Sequence, residues 1–189
     1  GYMQCTTLSI CNNNGFVSGN DYIGGICGYS ICYSDNAAII NNSSFNGSVN
    51  GNDYVAGIVG YVYYSGIIEN CTVIGIINGK KNVGGICGYQ HLYDATKNIL
   101  TTHCSNAATV SGEEYDGGIC GYAQGYVNKY TYESITIGEA TISYSYNTGN
   151  VFSSKRSAGG IVGYAKGDSD TYNGYYFYAY IYVDNCMNI

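Results

Sequence analysis

Proline and tryptophan are absent from this chain, arginine occurs once (Arg156), and Asp, Glu, Lys and Arg together make up only 11% of it. A globular chain usually carries about a quarter charged residues. Few cations beside a formal net charge of −6 leave no basic footprint for nucleic acid or an anionic lipid surface. No apolar run nears the roughly 20 residues a membrane-spanning helix needs. The first residues, Gly1-Tyr2-Met3-Gln4-Cys5, lack the basic start and apolar core of a secretion signal. Catalytic signatures are missing too: there is no GxSxG, HExxH, phosphate-loop or CxxCH pattern. Nor is there a CxxC pair or a close Cys/His cluster of the kind a four-ligand zinc site requires. What is present is 189 residues with 46% hydrophobic content, 28 Gly, 24 Tyr and 9 Cys. That is enough apolar material for a buried core, and it excludes wholesale disorder.

The chain is a repeat. One hexapeptide recurs as Gly24 to Tyr29, Ala56 to Tyr61, Gly84 to Tyr89, Gly117 to Tyr122 and Gly159 to Tyr164, at spacings of 32, 28, 33 and 42 residues. Gly1-Tyr2 reads as the end of another copy. A second column follows each copy: Cys11, Ser43, Cys71, Cys104, Ser145 and Cys186. Six residues later comes an apolar column of Val17, Val49, Ile77, Val110 and Val151. Length varies only between the hexapeptide Tyr and the Cys/Ser column, where the intervals are 9, 14, 10, 15, 23 and 22 residues. Insertions confined to one corner are the mark of a solenoid. Short β-branched segments separated by Gly, Asn and Ser, without helical periodicity, predict an all-β repeat solenoid of five to six rungs, each of three short strands. Glycine is expected to supply positive φ at the corners. The whole of 1–189 is read as one repeat domain.

These residues resemble the GLUG-motif family. The core Gly24 to Tyr29 and its counterparts match the family's Gly-Gly-Leu-Val-Gly-Tyr-like signature. Ser145-Tyr146-Asn147-Thr148-Gly149-Asn150-Val151 is similar to its Asn-Cys-Tyr-Asn-Thr-Gly-Asn-Val-like stretch. The resemblance implies a secreted or cell-surface repeat and transfers no active-site residue. Cys in place of Val or Leu in the core, and the high Tyr content, set this chain apart.

Cysteine occupancy is correlated. Cys11, Cys71 and Cys104 are each followed by Cys27, Cys87 and Cys120, whereas Ser43 and Ser145 are followed by Val59 and Val162. Paired loss predicts the disulfides Cys11–Cys27, Cys71–Cys87 and Cys104–Cys120. Each closes a loop of about 15 residues, worth roughly 3 kcal/mol on a chain-entropy model. Cys5 and Cys32 each lie three residues after a motif Tyr, so they share a column in adjacent rungs, and stacked strands about 4.8 Å apart suit a Cys5–Cys32 staple. Cys186 is left for a following rung or a neighbouring chain. Bridges imply an oxidising, extracellular or cell-surface setting. One difficulty is open: neighbours such as Ile26 and Cys27 face opposite sides of a regular strand, so one points outward or a bulge intervenes.

The acids Asp21, Asp53, Glu113, Glu114, Asp116, Asp168 and Asp170 lie near corners, and repetition of Asp21 and Asp53 along one corner argues against a convergent catalytic pair. No catalytic residue, metal ligand or cofactor is assigned. Tyr63, Tyr64, Tyr126, Tyr130, Tyr175 and Tyr176, in the variable corner, form a candidate binding edge, since Tyr pairs a flat apolar face with a polar tip. Asn42, Asn46 and Asn70 stand in glycosylation sequons. The chain begins inside a motif and stops within a rung, without a Pro-rich or charged cap, which leads us to expect a slice of a longer array or a subunit stacked end to end. The reading that follows is a non-enzymatic structural module of an extracellular fibre, filament or adhesin. Its partners would be itself, flanking repeats or glycans, and neither nucleic acid nor a membrane span is involved. A carbohydrate-binding module is the alternative, and a polysaccharide lyase-type β-helix ranks third.

Overall fold

A computed structural model describes residues 1–34, 36–127, 136–172 and 175–189. Among them every regular element is a β-strand, and no helix is long and apolar enough to cross a membrane. The chain winds through four walls. The first holds Tyr2–Gln4, Cys27–Ile31, Val59–Tyr63, Cys87–Leu92, Cys120–Gly125 and Val162–Lys166, all parallel and adjacent in sequence order. The second runs from Thr7–Ser9 through Ala38–Asn41, Gly66–Glu69, Asn98–Thr102 and Thr136–Ser143 to Tyr175–Asp184. The third contains the long strands Ser44–Asn50 and Thr72–Asn78, each broken into two short pieces in other turns. The fourth contains Ile23–Gly24, Asp53–Ala56, Lys81–Gly84, Glu114–Gly117 and Ala158–Gly159.

Four walls replace the three strands per rung expected from sequence. The hexapeptide straddles a corner: Asp53–Ala56 ends in the fourth wall, Gly57 and Ile58 bend, and Val59 opens the first. The same bend resolves the parity problem. Ile58 and Val59 are both fully buried, as are Ile86 with Cys87 and Ile119 with Cys120. Two successive side chains point inward because the chain turns between them.

The corners also differ from the glycine expectation. Ile10, Asn42, Asn70, His103, Tyr144 and Asn185 have φ between 43° and 76°, as do Tyr22, Tyr54, Asn82 and Tyr115, while Gly75 is the one positive-φ glycine among the described residues. A non-glycine residue is strained there. The stack offsets that strain, because the corner amides still bond to the next turn: Asn42 N donates to Glu69 O (3.1 Å) and Asn70 N to Thr102 O (3.2 Å). The motif glycines serve close approach instead. A Cβ on Gly85 would sit 2.1 Å from the Gly118 carbonyl oxygen and 2.3 Å from Asn106 Cγ.

Inside, columns of like residues stack in register. Val49, Ile77 and Val110 form one, and Val55 and Val83 another. The turn containing Tyr164 carries a long insertion, and Asp168–Tyr172 folds back to pair antiparallel with Tyr175–Asp184. This strand occupies the edge of the second wall, with Asp168 and Asp170 on it. Acidic side chains on this edge strand discourage further strand addition.

Candidate functional site

The most organised surface is aromatic. Because the first wall stacks in register, the motif Tyr recurs at one position: Tyr2, Tyr29, Tyr61, Tyr89, Tyr122 and Tyr164. Ring centroids are 5.6 Å apart for Tyr2–Tyr29, 5.1 Å for Tyr29–Tyr61 and 4.8 Å for Tyr89–Tyr122. The left-handed corner adds a second row, with Tyr22 stacked on Tyr54 at 5.0 Å and Tyr54 on Tyr89 at 5.5 Å. Stacked neighbours flank Tyr29 and Tyr54, whereas Tyr61 and Tyr89 are tilted and Tyr122 and Tyr164 meet edge to face. The rows were not among the sequence-based candidates, although their signal was available: a residue at constant offset in an in-register stack must lie on its own copies.

The variable corner gathers a further cluster. Tyr63 lies 5.5 Å from Tyr64 and 5.5 Å from Tyr93, and Tyr93 stacks on Tyr126 at 4.9 Å. Tyr63, Tyr64 and Tyr126 of the candidate edge are thus brought together through Tyr93, which joins Tyr33 and His91 in the same group. Tyr176 is exposed on the second wall, apart from them in the fold. Tyr130 and the Tyr175 side chain lie outside the described residues. The Tyr61 hydroxyl and His91 Nδ1 are 2.7 Å apart, Tyr64 donates to Asp94 (3.2 Å), and Tyr89 donates to Gln124. Burial pushes Tyr29 up to about 12, with neighbouring Tyr adding to it, and raises Tyr61 and Tyr89 further. Burial also lowers His91 to about 4. At neutral pH Tyr29, Tyr61 and Tyr89 are therefore neutral phenols and His91 a neutral imidazole, suited to contact and hydrogen bonding.

The acids do not converge on this face. Asp53, Lys81 and Glu114 are register partners in the fourth wall, and Asp21 accepts from the Asp53 amide at 3.2 Å. Cations interleave: Lys155 lies 2.6 Å from Glu113, and Lys81 and Arg156 each lie 3.9 Å from Glu114. Among the described residues no group of three or more His, Cys, Asp or Glu is placed to hold a metal ion. Asn42, Asn46 and Asn70 are exposed.

The cysteines require a correction. One disulfide is present, Cys5–Cys32, with Cα atoms 4.6 Å apart. Cys11, Cys27, Cys71, Cys87, Cys104, Cys120 and Cys186 are free, so the within-rung pairs Cys11–Cys27, Cys71–Cys87 and Cys104–Cys120 are not formed. The Cys/Ser exchange has another physical basis. Ser43 Oγ donates across the left-handed corner to Asn41 O (2.8 Å), and Ser145 Oγ to Ser143 O (2.8 Å). The thiols of Cys71 and Cys104 make the same bond to Glu69 O (3.3 Å) and Thr102 O (3.2 Å). A hydroxyl and a thiol are equivalent corner donors, which correlated occupancy alone does not reveal.

Residues 51–78 match the family model of the GLUG motif. That segment is one complete turn through all four walls, from the approach to Asp53–Ala56 to the end of Thr72–Asn78. No curated protein and no solved structure matches the chain.

Proposed function

We propose that this protein is a non-enzymatic structural module of an extracellular or cell-surface fibre, filament or adhesin. The observation that carries the proposal is the parallel stacking of successive turns in the four walls, stapled between adjacent turns by Cys5–Cys32. A persistent disulfide belongs to an oxidising compartment, and the GLUG match supports the same placement. Stacked Tyr rows add about 0.5–1.5 kcal/mol per ring pair beyond simple burial, which stiffens a stack. The test is labelling of intact cells of the native source with an impermeant reagent, followed by electron microscopy of the labelled material. Surface or secreted structures containing the chain are expected. Retention in a reducing cytosol, with Cys5 and Cys32 as thiols, would overturn the proposal.

The Tyr63–Tyr64–Tyr126 corner favours carbohydrate binding as a second reading, because half-buried Tyr63 and Tyr64 adjoin the exposed rings of Tyr33 and, through Tyr93, Tyr126. Binding on a glycan array that disappears in a Tyr63→Ala, Tyr64→Ala double variant would support it. Equal binding by the variant would remove it.

A further inference from the structure

We infer that the two central turns are joined by two further disulfides, Cys71–Cys104 and Cys87–Cys120, each linking like columns of adjacent rungs. Cys87 and Cys120 are direct register partners on neighbouring strands of the first wall. Cys71 and Cys104 are held opposite one another by partners on both sides, Glu69 with Thr102 and Thr72 with Ser105. The Ser105 amide donates to the Cys71 carbonyl at 2.9 Å. All four side chains are fully buried.

The molecule contains its own precedent. Cys5 and Cys32 are neighbours in one column of adjacent turns, next to the register pair Gln4 with Ile31, and they are bridged at a Cα separation of 4.6 Å. Parallel strands repeat that spacing throughout the stack, and it lies inside the range a disulfide spans. The remaining thiols have no such partner. The column neighbour of Cys11 is Ser43, that of Cys27 is Val59, and that of Cys186 is Ser145. Only the turns containing Cys71 and Cys104 carry Cys in both columns of consecutive rungs.

The step is thiol–disulfide exchange with an organic disulfide, RSSR, as oxidant. One cysteine of the pair, here Cys71, attacks first as its thiolate. Its sulfur bonds to one sulfur of RSSR and releases RS⁻. The Cys104 thiolate then attacks the Cys71 sulfur and releases the second RS⁻. Two protons from the cysteines end on two RSH, and two electrons reduce RSSR. Cys87 and Cys120 react in the same way. Burial pushes Cys87 far above the ordinary thiol range, and no disulfide reagent reaches a dry core, so the exchange takes place before the core closes.

Refolding the full chain from denaturant in a buffer of oxidised and reduced glutathione tests this independently of where the protein resides. After alkylation and non-reducing peptide mapping, Cys71–Cys104 and Cys87–Cys120 peptides are expected beside Cys5–Cys32, with Cys11, Cys27 and Cys186 alone alkylated. The Cys104→Ser variant, which installs the residue found at Ser43 and Ser145, keeps the corner bond and should leave Cys71 alkylated and Cys87–Cys120 bridged. Recovery of Cys71–Cys87 or Cys104–Cys120 overturns the inference. So does a chain with Cys5–Cys32 closed and the four central thiols free, an outcome that leaves the extracellular proposal standing.

Discussion

One inner column of the third wall is filled in two ways. After Asn13 in the first turn, the next two turns hold Phe45 and Val73, both buried hydrocarbon. In three later turns it holds Asn106, Asn147 and Asn188. Asn106 Nδ2 donates to Asn147 Oδ1 at 2.7 Å, and Asn147 Nδ2 to Asn188 Oδ1 at 2.7 Å. Each amide also closes on its own strand: Asn106 Oδ1 accepts from Ala108 N (3.1 Å), and Asn147 Oδ1 from Gly149 N (3.2 Å). Both fillings press on the second motif glycine of the opposite wall, Gly25 under Phe45 and Gly85 under Asn106. A repeated amide is thus as acceptable in the core as a phenyl ring, because each copy satisfies the next. Asn13, beside Phe45, instead donates to Gly25 O (2.7 Å) and accepts from Gly15 N (2.9 Å), but a lone carboxylate has no such provision. Asp116 stands alone in the column of Val55, Val83 and Ala158.

The largest expected effect lies on the hydrocarbon side. Phe45→Ala should lower unfolding free energy by about 3–5 kcal/mol in a urea titration, since a full ring is lost from a rigid site. Loss under about 1 kcal/mol would mean that Gly25 and its wall collapse onto the space.

The amide side should break less severely. Asn106→Ala strands the Ala108 amide and removes one of the two donors to Asn147 Oδ1, at a cost of about 1–3 kcal/mol. Asn106→Val restores volume, as Val73 does, but not the lost acceptor. Thermal melts of both variants should therefore place Asn106→Val between Asn106→Ala and the parent chain.

Asp116 sharpens the comparison with the opposite sign. Its carboxylate is fully buried, and the Ser153 hydroxyl and Val83 amide approach it without ordinary hydrogen-bond geometry. Burial raises its pKa to about 6. The folded state then holds a proton that the unfolded chain releases near pH 4, so stability is highest below that value and falls as pH rises through about 6. Asp116→Val should stabilise the protein at pH 7.5 by about 1–2 kcal/mol and remove this slope from a series of denaturation curves. A variant that is less stable at pH 7.5 would show that the charge is compensated.

The smallest effect belongs to the outside. Lys155 and Glu113 meet at 2.6 Å, with the Lys155 side chain 59% exposed. Solvent and salt screen such pairs. Lys155→Ala should leave the melting temperature within experimental error, and a measurable drop would mark the charged corner as part of the stack's support.

The residues themselves carried the period. Equal spacing of Val17, Val49, Ile77 and Val110 relative to the Cys/Ser column placed them in one core column, and the confined variable intervals placed the insertions at one corner. The Tyr rows are equally legible in the constant offset of Tyr29, Tyr61 and Tyr89. Other features were not readable. Ile58 and Val59 both point inward because the chain bends between walls, a break in alternation that a strand pattern does not encode. The joint appearance of Cys71 with Cys87 fits bridges within a rung or between rungs, and linear spacing weighs both alike.

Repetition alone determined that this chain stacks like residues on like, because in-register parallel strands leave a recurring side chain no other neighbour. The tertiary structure decided what each column does with that neighbour. Whether Asn106 is a buried liability or a ladder rung, whether Ser43 and Cys71 are equivalent, and which thiol faces which depend on where the corners fall. Those corners are set by left-handed residues such as Asn70 and Ile10: Asn favours that conformation by itself, but Ile10 is held there by its amide bond to Asn41 O in the next turn.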